Sequence, residues 1–171
     1  ASQDEDSMVD NMSDYSAMYR SIHRSIEPQL KLYFETLLDA DGPVVVNCSA
    51  GQDRTGVASA LVLSVLGVAE DQIIEDYLLS TDFRRPQYEF LAVDLEAAAQ
   101  TNAFAAIMLR YGTDEDRRRA NPLVTKDGIP FIAFTLAEVR RNHGSVESYL
   151  LNRLGLSRPQ IERLKGRYLS K

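Results

Sequence analysis

Cysteine is nearly absent from this sequence, which has one, Cys48, among its 171 residues, and tryptophan is missing altogether. A single cysteine cannot close an internal disulfide, and it leaves thiol–disulfide relay chemistry without a resolving partner. A reducing compartment, the cytoplasm, is therefore expected, although delivery by a secretion route without a signal peptide stays open. No run of about 18 apolar residues occurs either, so we expect no transmembrane segment.

Positive charge is scarce too: 19 lysines and arginines face 25 aspartates and glutamates, giving a net charge of −6 and a pI of about 5.0. This balance argues against a nucleic-acid partner, whose phosphates would be repelled, while a local positive pocket remains open. The histidines, His23 and His143, are isolated, and we expect each to be a surface or hydrogen-bonded structural side chain. Without a ligand-spaced group of His, Cys, Asp and Glu, the sequence predicts no metal and no cofactor.

Length and composition indicate one domain over residues 1–171, with residues 1–13 as a flexible acidic lead-in. Most of the chain has the apolar periodicity of helices. We predict helices over 14–25, around Pro28 to Leu38, from Val57 to Val68, over 69–80, through much of 88–111, over 129–142, and after the N-cap residues Ser145 and Ser157. Residues 81–86 should break the chain's helical course after Ser80.

One stretch, Val44–Gly56, has a different pattern. Residues Val44–Asn47 suit a strand buried on both faces, and a helix-length apolar run begins at Val57. Cys48 and Arg54 lie between these elements with five residues separating them. A short loop whose backbone N–H groups point inward at a helix N-terminus makes a site for a tetrahedral oxyanion such as phosphate. The residues expected to bind that phosphate are Ser49, Ala50, Gly51, Gln52, Asp53 and Arg54.

Each side chain of this loop has a chemical use. The N–H groups and the positive helix end would stabilise a thiolate, so Cys48 is a candidate nucleophile. The Arg54 guanidinium can fork onto two phosphate oxygens, and the Thr55 hydroxyl can stabilise the thiolate or assist its departure. Gly51 would allow a positive φ and Gly56 close helix packing.

Residues 47–56, NCSAGQDRTG, resemble the signature loop of the cysteine-dependent protein tyrosine phosphatase superfamily, above all its bacterial tyrosine, dual-specificity and phosphoinositide branch, where the loop usually is HCxAGKDRTG. The similarity extends to Asp76–Ser80 and His143–Leu150. It implies an α/β fold with a parallel sheet flanked by helices. Because only Val44–Asn47 has a strand pattern, we expect either that an N-terminal portion of the sheet is missing from this chain or that the sheet is minimal.

The resemblance implies a phosphomonoester hydrolase that works through a cysteinyl-phosphate on a phosphorylated protein or a phosphoinositide. It gives Asp53 the role of general acid; the other interpretation is a carboxylate that only holds the loop together. Two positions depart from the branch, since Asn47 replaces its histidine and Gln52 its lysine. The alternative function is therefore a catalytically weak module that binds a phosphorylated partner.

Two charged segments outside the loop leave alternatives open. Arg84 and Arg85 could reach a substrate anion or could be a solvated pair. The charge cluster at residues 114–119 is interpreted as a solvated loop, with a lid over the pocket as the alternative.

Overall fold

The computed structural model describes residues 15–89, 94–110, 120 and 122–169. The lead-in at 1–13 and the charge cluster at 114–119 lie outside these residues, and so do the predictions made for them. The chain divides into two compact units, Ala1–Leu78 with Leu123–Lys171, and Leu79–Pro122. The assignment of 1–171 to one domain stays a prediction.

The described residues are mostly helical. The helices are α1 (residues 15–25), α2 (Glu27–Asp39), α3 (Asp53–Val65), α4 (Glu70–Phe83), α5 (Pro86–Glu89), α6 (Leu95–Ala99), α7 (Ala103–Arg110), α8 (Phe131–His143), α9 (Val146–Tyr149), a π-helical turn (Leu150–Leu154) and α10 (Arg158–Tyr168). Most predicted helices are confirmed within a few residues. One boundary was wrong, since α4 continues past Ser80 to Phe83. The prediction that much of 88–111 is helical is confirmed for its described residues, which include the separate short helices α5, α6 and α7.

A single apolar cluster forms the core of the first unit. It consists of side chains repeated at helical spacing, and its most completely buried members are Tyr19, Leu30, Phe34, Val57, Leu61, Ile132, Leu136, Tyr149, Leu150, Ile161 and Leu164. Each such side chain contributes about 1.5–3 kcal/mol through removal from water. Packing of the helical faces therefore supplies most of the favourable free energy of this unit.

Two predicted caps are confirmed. The Ser145 hydroxyl accepts a hydrogen bond from the Ser148 N–H at 3.0 Å, at the start of α9. Ser157 and Gln160 form a reciprocal capping box at the start of α10. These side chains satisfy N–H groups that have no partner within their own helix, which fixes where each helix begins.

The prediction of a buried strand at Val44–Asn47 is wrong in this structure. The segment forms no strand: it pairs with no other segment among the described residues, whose one β-pairing is an isolated bridge between Val124 and Pro130. Val44 and Val46 pack against the core, whereas Val45 is 86% exposed. Apolar composition does not distinguish a segment buried on both faces from one buried on a single face.

The last helix closes the C-terminal end of α2. Arg163 and Arg167 each donate from the guanidinium to the Leu38 carbonyl, at 3.3 and 3.1 Å, and the Tyr168 hydroxyl donates to the Leu37 carbonyl at 3.1 Å. Carbonyls at a helix C-terminus lack intrahelical partners and carry partial negative charge, so cationic donors suit them. We call these contacts the α10 clasp; they hold the helix end from which the chain leads to Cys48.

Within the second unit, helix ends are also satisfied by side chains. The Arg85 guanidinium donates to the carbonyls of Asp82 and Arg84 at the end of α4. Asp94 caps α6 by accepting from the Ala97 N–H at 3.0 Å. Arg85 therefore has a local structural role at an exposed position. For this arginine, the contacts favour a solvated side chain over one that reaches a substrate anion.

His23 differs from the sequence expectation. Its ring is completely buried, lies edge-on to Tyr149 with centroids 5.6 Å apart, and has no hydrogen-bond partner for either nitrogen within the described part of the chain. Burial, with help from Arg24 and His143, lowers the pKa of His23 to about 4, against a smaller opposite effect of Glu27 and Glu138. The folded chain thus holds this imidazole neutral. His143 is half-buried, with its ring 5.1 Å from that of Tyr149.

The buried His23 predicts loss of stability in mild acid. Above about pH 6.5 the imidazole is neutral whether the chain is folded or unfolded, but toward pH 4 the unfolded chain binds a proton that the folded chain does not. The free energy of unfolding should fall by up to about 1.4 kcal/mol per pH unit in this window. Urea unfolding at pH 7 and pH 5 measures it, and His23→Leu should show a smaller fall. Equal falls in both proteins would contradict the prediction.

Candidate active site

The segment between Cys48 and α3 forms a tight loop. Gly51 has φ +70°, a left-handed conformation that favours glycine, as the sequence predicted. Helix α3 begins at Asp53, so its first turn, with unpaired N–H groups and a partial positive charge, faces the loop. This is the geometry that favours an anion.

Hydrogen-bond donors converge on the sulfur of Cys48, which is half-buried. Burial by itself raises the pKa of the thiol, but the Thr55 hydroxyl and the backbone N–H groups of Thr55, Ala50 and Gly51 outweigh it and lower the pKa to about 7. A hydrogen bond to the charged form favours that form. The Cys48 thiolate is therefore accessible at neutral pH.

The Thr55 hydroxyl is buried beside the sulfur of Cys48. Its oxygen is buried, and no partner with ordinary hydrogen-bond geometry is found for it in the described ranges. It lies close enough to the Cys48 sulfur to lower the pKa of the thiol. A buried hydroxyl without a full partner is costly, so it is available to whichever anion forms beside it.

Arg54 lies at the mouth of the loop. Its side chain is exposed, and one guanidinium nitrogen donates to the Ser49 hydroxyl at 3.0 Å. This bond joins residues five positions apart across the loop, and it keeps the guanidinium on the open side of the loop. The other donors of the planar fork can meet phosphate oxygens there.

Asp53 is half-buried and held from one side. The Tyr19 hydroxyl on α1 donates to Asp53 Oδ1 at 2.6 Å, and the hydroxyls of Tyr19 and Tyr77 are 2.6 Å apart. Burial, the neighbouring tyrosine hydroxyl and the Asp53 carboxylate raise the pKa of Tyr19, and burial is the largest cause of the raised pKa of Tyr77. Both phenols therefore remain protonated donors at neutral pH.

The two positions that depart from the resembling branch have opposite environments. Asn47 is exposed, whereas Gln52 is only 3% exposed. Because Gln52 is neutral and buried, position 52 offers no solvent-facing cation at the loop. Within the loop sequence, residues 48–54, the one arginine or lysine is Arg54.

Sequence reasoning named the loop residues as a candidate site, which stays a prediction, but did not include the tyrosines that contact it. The structure brings Cys48, Thr55, Ala50 and Gly51 together around the sulfur, and puts Arg54 across to Ser49. Tyr19 and Tyr77 lie on helices among the buried residues of the core. The available signal was their hydroxyl group, since a buried phenol requires a hydrogen-bond partner.

Glycine at position 56 lets α3 and α4 approach each other. A Cβ atom there would lie 2.7 and 2.8 Å from ring carbons of Tyr77. The predicted role of Gly56 in close packing is confirmed. The same contact sets the position of the Tyr77 ring.

The described residues contain neither a metal-binding cluster of side chains nor a membrane-spanning helix. Within residues 15–89, 94–110, 120 and 122–169, no cluster of three or more His, Cys, Asp or Glu side chains is arranged to hold a metal ion. Among the same residues, no helix combines the length and the apolar character required to cross a bilayer.

The chain is similar to known proteins along most of its length. A profile of the tyrosine phosphatase family matches residues 1–170. The chain is 31% identical over 137 residues, 77% of its length, to the triple specificity protein phosphatase PtpB of Mycobacterium tuberculosis, and 30% identical over 144 residues, 82% of its length, to a tyrosine-protein phosphatase of Nostoc commune. Both relatives are bacterial. The matches cover 45% and 44% of them, so the chain spans a little less than half their length.

Gly56→Ala should destabilise the protein despite the better helix propensity of alanine. The new methyl group must displace the buried Tyr77 ring, which costs about 1–3 kcal/mol. Gly166→Ala in α10 is the matched control, because a Cβ there meets nothing within 4 Å, and it should stabilise by up to about 1 kcal/mol. Urea unfolding measures the free energy of unfolding of both variants. Stabilisation by both substitutions would contradict the packing role of Gly56.

The lowered pKa of Cys48 predicts alkylation at neutral pH. Iodoacetamide should inactivate the thiol half-maximally near pH 7, and inorganic phosphate should protect it. Thr55→Val removes one donor, so alkylation at pH 7 should slow by about three- to tenfold. Thr36→Val, at an exposed position on α2, is the control and should alkylate like the wild type. A pH profile unchanged by Thr55→Val would show that this hydroxyl does not stabilise the thiolate.

Proposed function

The chain belongs to the tyrosine phosphatase family, and on that premise we propose that it is a phosphomonoester hydrolase that works through a cysteinyl-phosphate. One observation carries the proposal: the backbone N–H groups of the loop and the nearby Thr55 hydroxyl lower the pKa of Cys48 to about 7 against the effect of burial. A thiol kept only for packing would have no use for such donors.

In the first step the Cys48 thiolate attacks the phosphorus. An S–P bond forms while the P–O bond to the alcohol breaks, and the bonding electrons stay on the departing oxygen. The loop N–H groups and Arg54 hold the remaining phosphate oxygens as charge moves across them. Asp53 gives its proton to the departing oxygen, so the leaving group is a neutral alcohol.

In the second step water attacks the cysteinyl-phosphate. The new O–P bond forms as the S–P bond breaks, its electrons return to the sulfur, and Asp53 takes a proton from the water. The Thr55 hydroxyl favours this departure because it stabilises the thiolate. Inorganic phosphate leaves, and the chain is restored without a cofactor.

The substrate class follows from the charge of the loop. Position 52 presents no exposed cation, so the residues described around Cys48 hold one phosphate group through Arg54 and backbone N–H donors. This favours a phosphorylated protein, with phosphotyrosine or phosphoserine/threonine as substrate, over a phosphoinositide that carries further phosphates. The name of the Mycobacterium relative, a triple specificity protein phosphatase, supports testing all three classes.

A parallel sheet belongs to the same proposal. Within residues 44–47, Val44 and Val46 pack against the core and Val45 faces outward. Such alternation is that of a strand with one covered face, and its backbone has no strand partner in the described ranges. Both features support pairing of this segment with a further strand of the sheet.

The deciding experiment compares the wild type with Cys48→Ser. The variant should lose more than about 10³-fold in kcat on p-nitrophenyl phosphate, because serine is not ionised at neutral pH, while tungstate binding remains measurable by calorimetry. Comparable turnover by both proteins would exclude Cys48 as the nucleophile. Tight tungstate binding with no turnover by the wild type would instead identify the phosphate-binding module.

A further inference from the structure

A chain of hydroxyl groups connects the interior of the first unit to the candidate acid. The Tyr77 and Tyr19 hydroxyls are 2.6 Å apart, and Tyr19 donates to Asp53 Oδ1 at 2.6 Å. Tyr19 is completely buried and Tyr77 is 4% exposed. Tyr19 has a single phenolic proton, which it donates to Asp53, so the proton between the two tyrosines comes from Tyr77.

Tyr19 is itself fixed from three directions. The Thr135 hydroxyl on α8 donates to the Tyr19 backbone carbonyl at 2.6 Å. Its ring stacks on that of Phe131 with centroids 5.3 Å apart, and meets the Tyr77 ring edge-on at 6.3 Å. A phenol held in this way presents its hydroxyl in one place, which is what a group that orients another side chain requires.

We propose that Tyr19 is a positioning residue that assigns separate tasks to the two oxygens of Asp53. Tyr19 occupies Oδ1, so the exchangeable proton belongs to Oδ2, which remains for the leaving oxygen and later for the attacking water. A phenol can donate to Oδ1 whether the carboxyl group is protonated or ionised, so the carboxyl plane keeps its orientation through both steps. The inference rests on the proposed hydrolysis and adds to it a residue from α1, 34 positions away from Asp53.

The role of Tyr77 follows from cooperativity. A donor that itself accepts a hydrogen bond is polarised and donates more strongly in a site of low dielectric constant. Tyr77 therefore strengthens the bond from Tyr19 to Asp53, and its removal should have the same effect as removal of the Tyr19 hydroxyl, only smaller.

The test uses the dependence of rate on the leaving group. A well-placed acid matters most for a poor leaving group, such as the phenol of phenyl phosphate, and little for p-nitrophenol. Tyr19→Phe should lower kcat/KM, which reports the first step and not the hydrolysis of the shared cysteinyl-phosphate, by about tenfold for phenyl phosphate and by less than about twofold for p-nitrophenyl phosphate. In Asp53→Asn, which has no proton to direct, the further change Tyr19→Phe should have no additional leaving-group effect.

Tyr149→Phe is the matched control. Tyr149 is also completely buried and also donates to α1, from its hydroxyl to the His23 carbonyl at 3.1 Å, but this contact lies outside the loop. Its loss removes one buried hydrogen bond and should not change the ratio of the two rates. If Tyr19→Phe lowers both rates equally, as Tyr149→Phe would through destabilisation alone, the positioning role is wrong.

A spectroscopic measurement keeps the inference testable if Tyr19→Phe does not fold. The wild type should show a downfield, slowly exchanging hydroxyl proton by NMR that shifts in Asp53→Asn and, less strongly, in Tyr77→Phe; no shift in either would overturn the contact. The two proposals fail differently. A wild type without Cys48-dependent turnover removes the hydrolase and the positioning role together, whereas an active wild type with equal losses in Tyr19→Phe removes the positioning role alone.

Discussion

Convergence of hydrogen-bond donors on one sulfur atom is the constraint on which the rest of the site depends. Removing Cys48 from water favours the neutral thiol, and several donors are required to reverse that preference. Those donors are backbone groups of a loop and the first turn of α3, so they can act only if the loop keeps a single conformation. The left-handed Gly51 and the start of α3 at Asp53 are consequences of this requirement.

The helices around the loop serve to immobilise it. Tyr19 holds Asp53 while Thr135 and Phe131 hold Tyr19, and Gly56 lets the Tyr77 ring approach α3. Several polar atoms of the core are thus paired with one another. Such a network specifies one arrangement of the site, because any partial rearrangement would leave a buried group unpaired. His23 has no such partner in the described ranges, so its burial lowers the free energy of unfolding.

Local signals in the sequence predicted much of this molecule. Ser145 and Ser157 marked helix starts because capping is decided within a few residues, and the spacing of Cys48 and Arg54 indicated the loop for the same reason. What could not be predicted depends on distant contacts. Val45 is exposed although its apolar side chain suits burial, the nitrogens of His23 find no partner among the residues that the structure describes, and the Tyr19–Asp53 bond joins elements that no periodicity relates. Three-dimensional neighbours, not residue types, decide such cases.

The α10 clasp has a consequence for the order in which the site is assembled. It joins Leu37 and Leu38 to residues more than 120 positions later, so the end of α2 stays open until the final helix has been made. Contacts this distant in sequence form late, since a long loop must close before they contribute. During vectorial synthesis the segment leading to Cys48 is consequently secured last, after α3 and α8 are available, and a chain interrupted before Arg158 carries its thiol on an unsecured support.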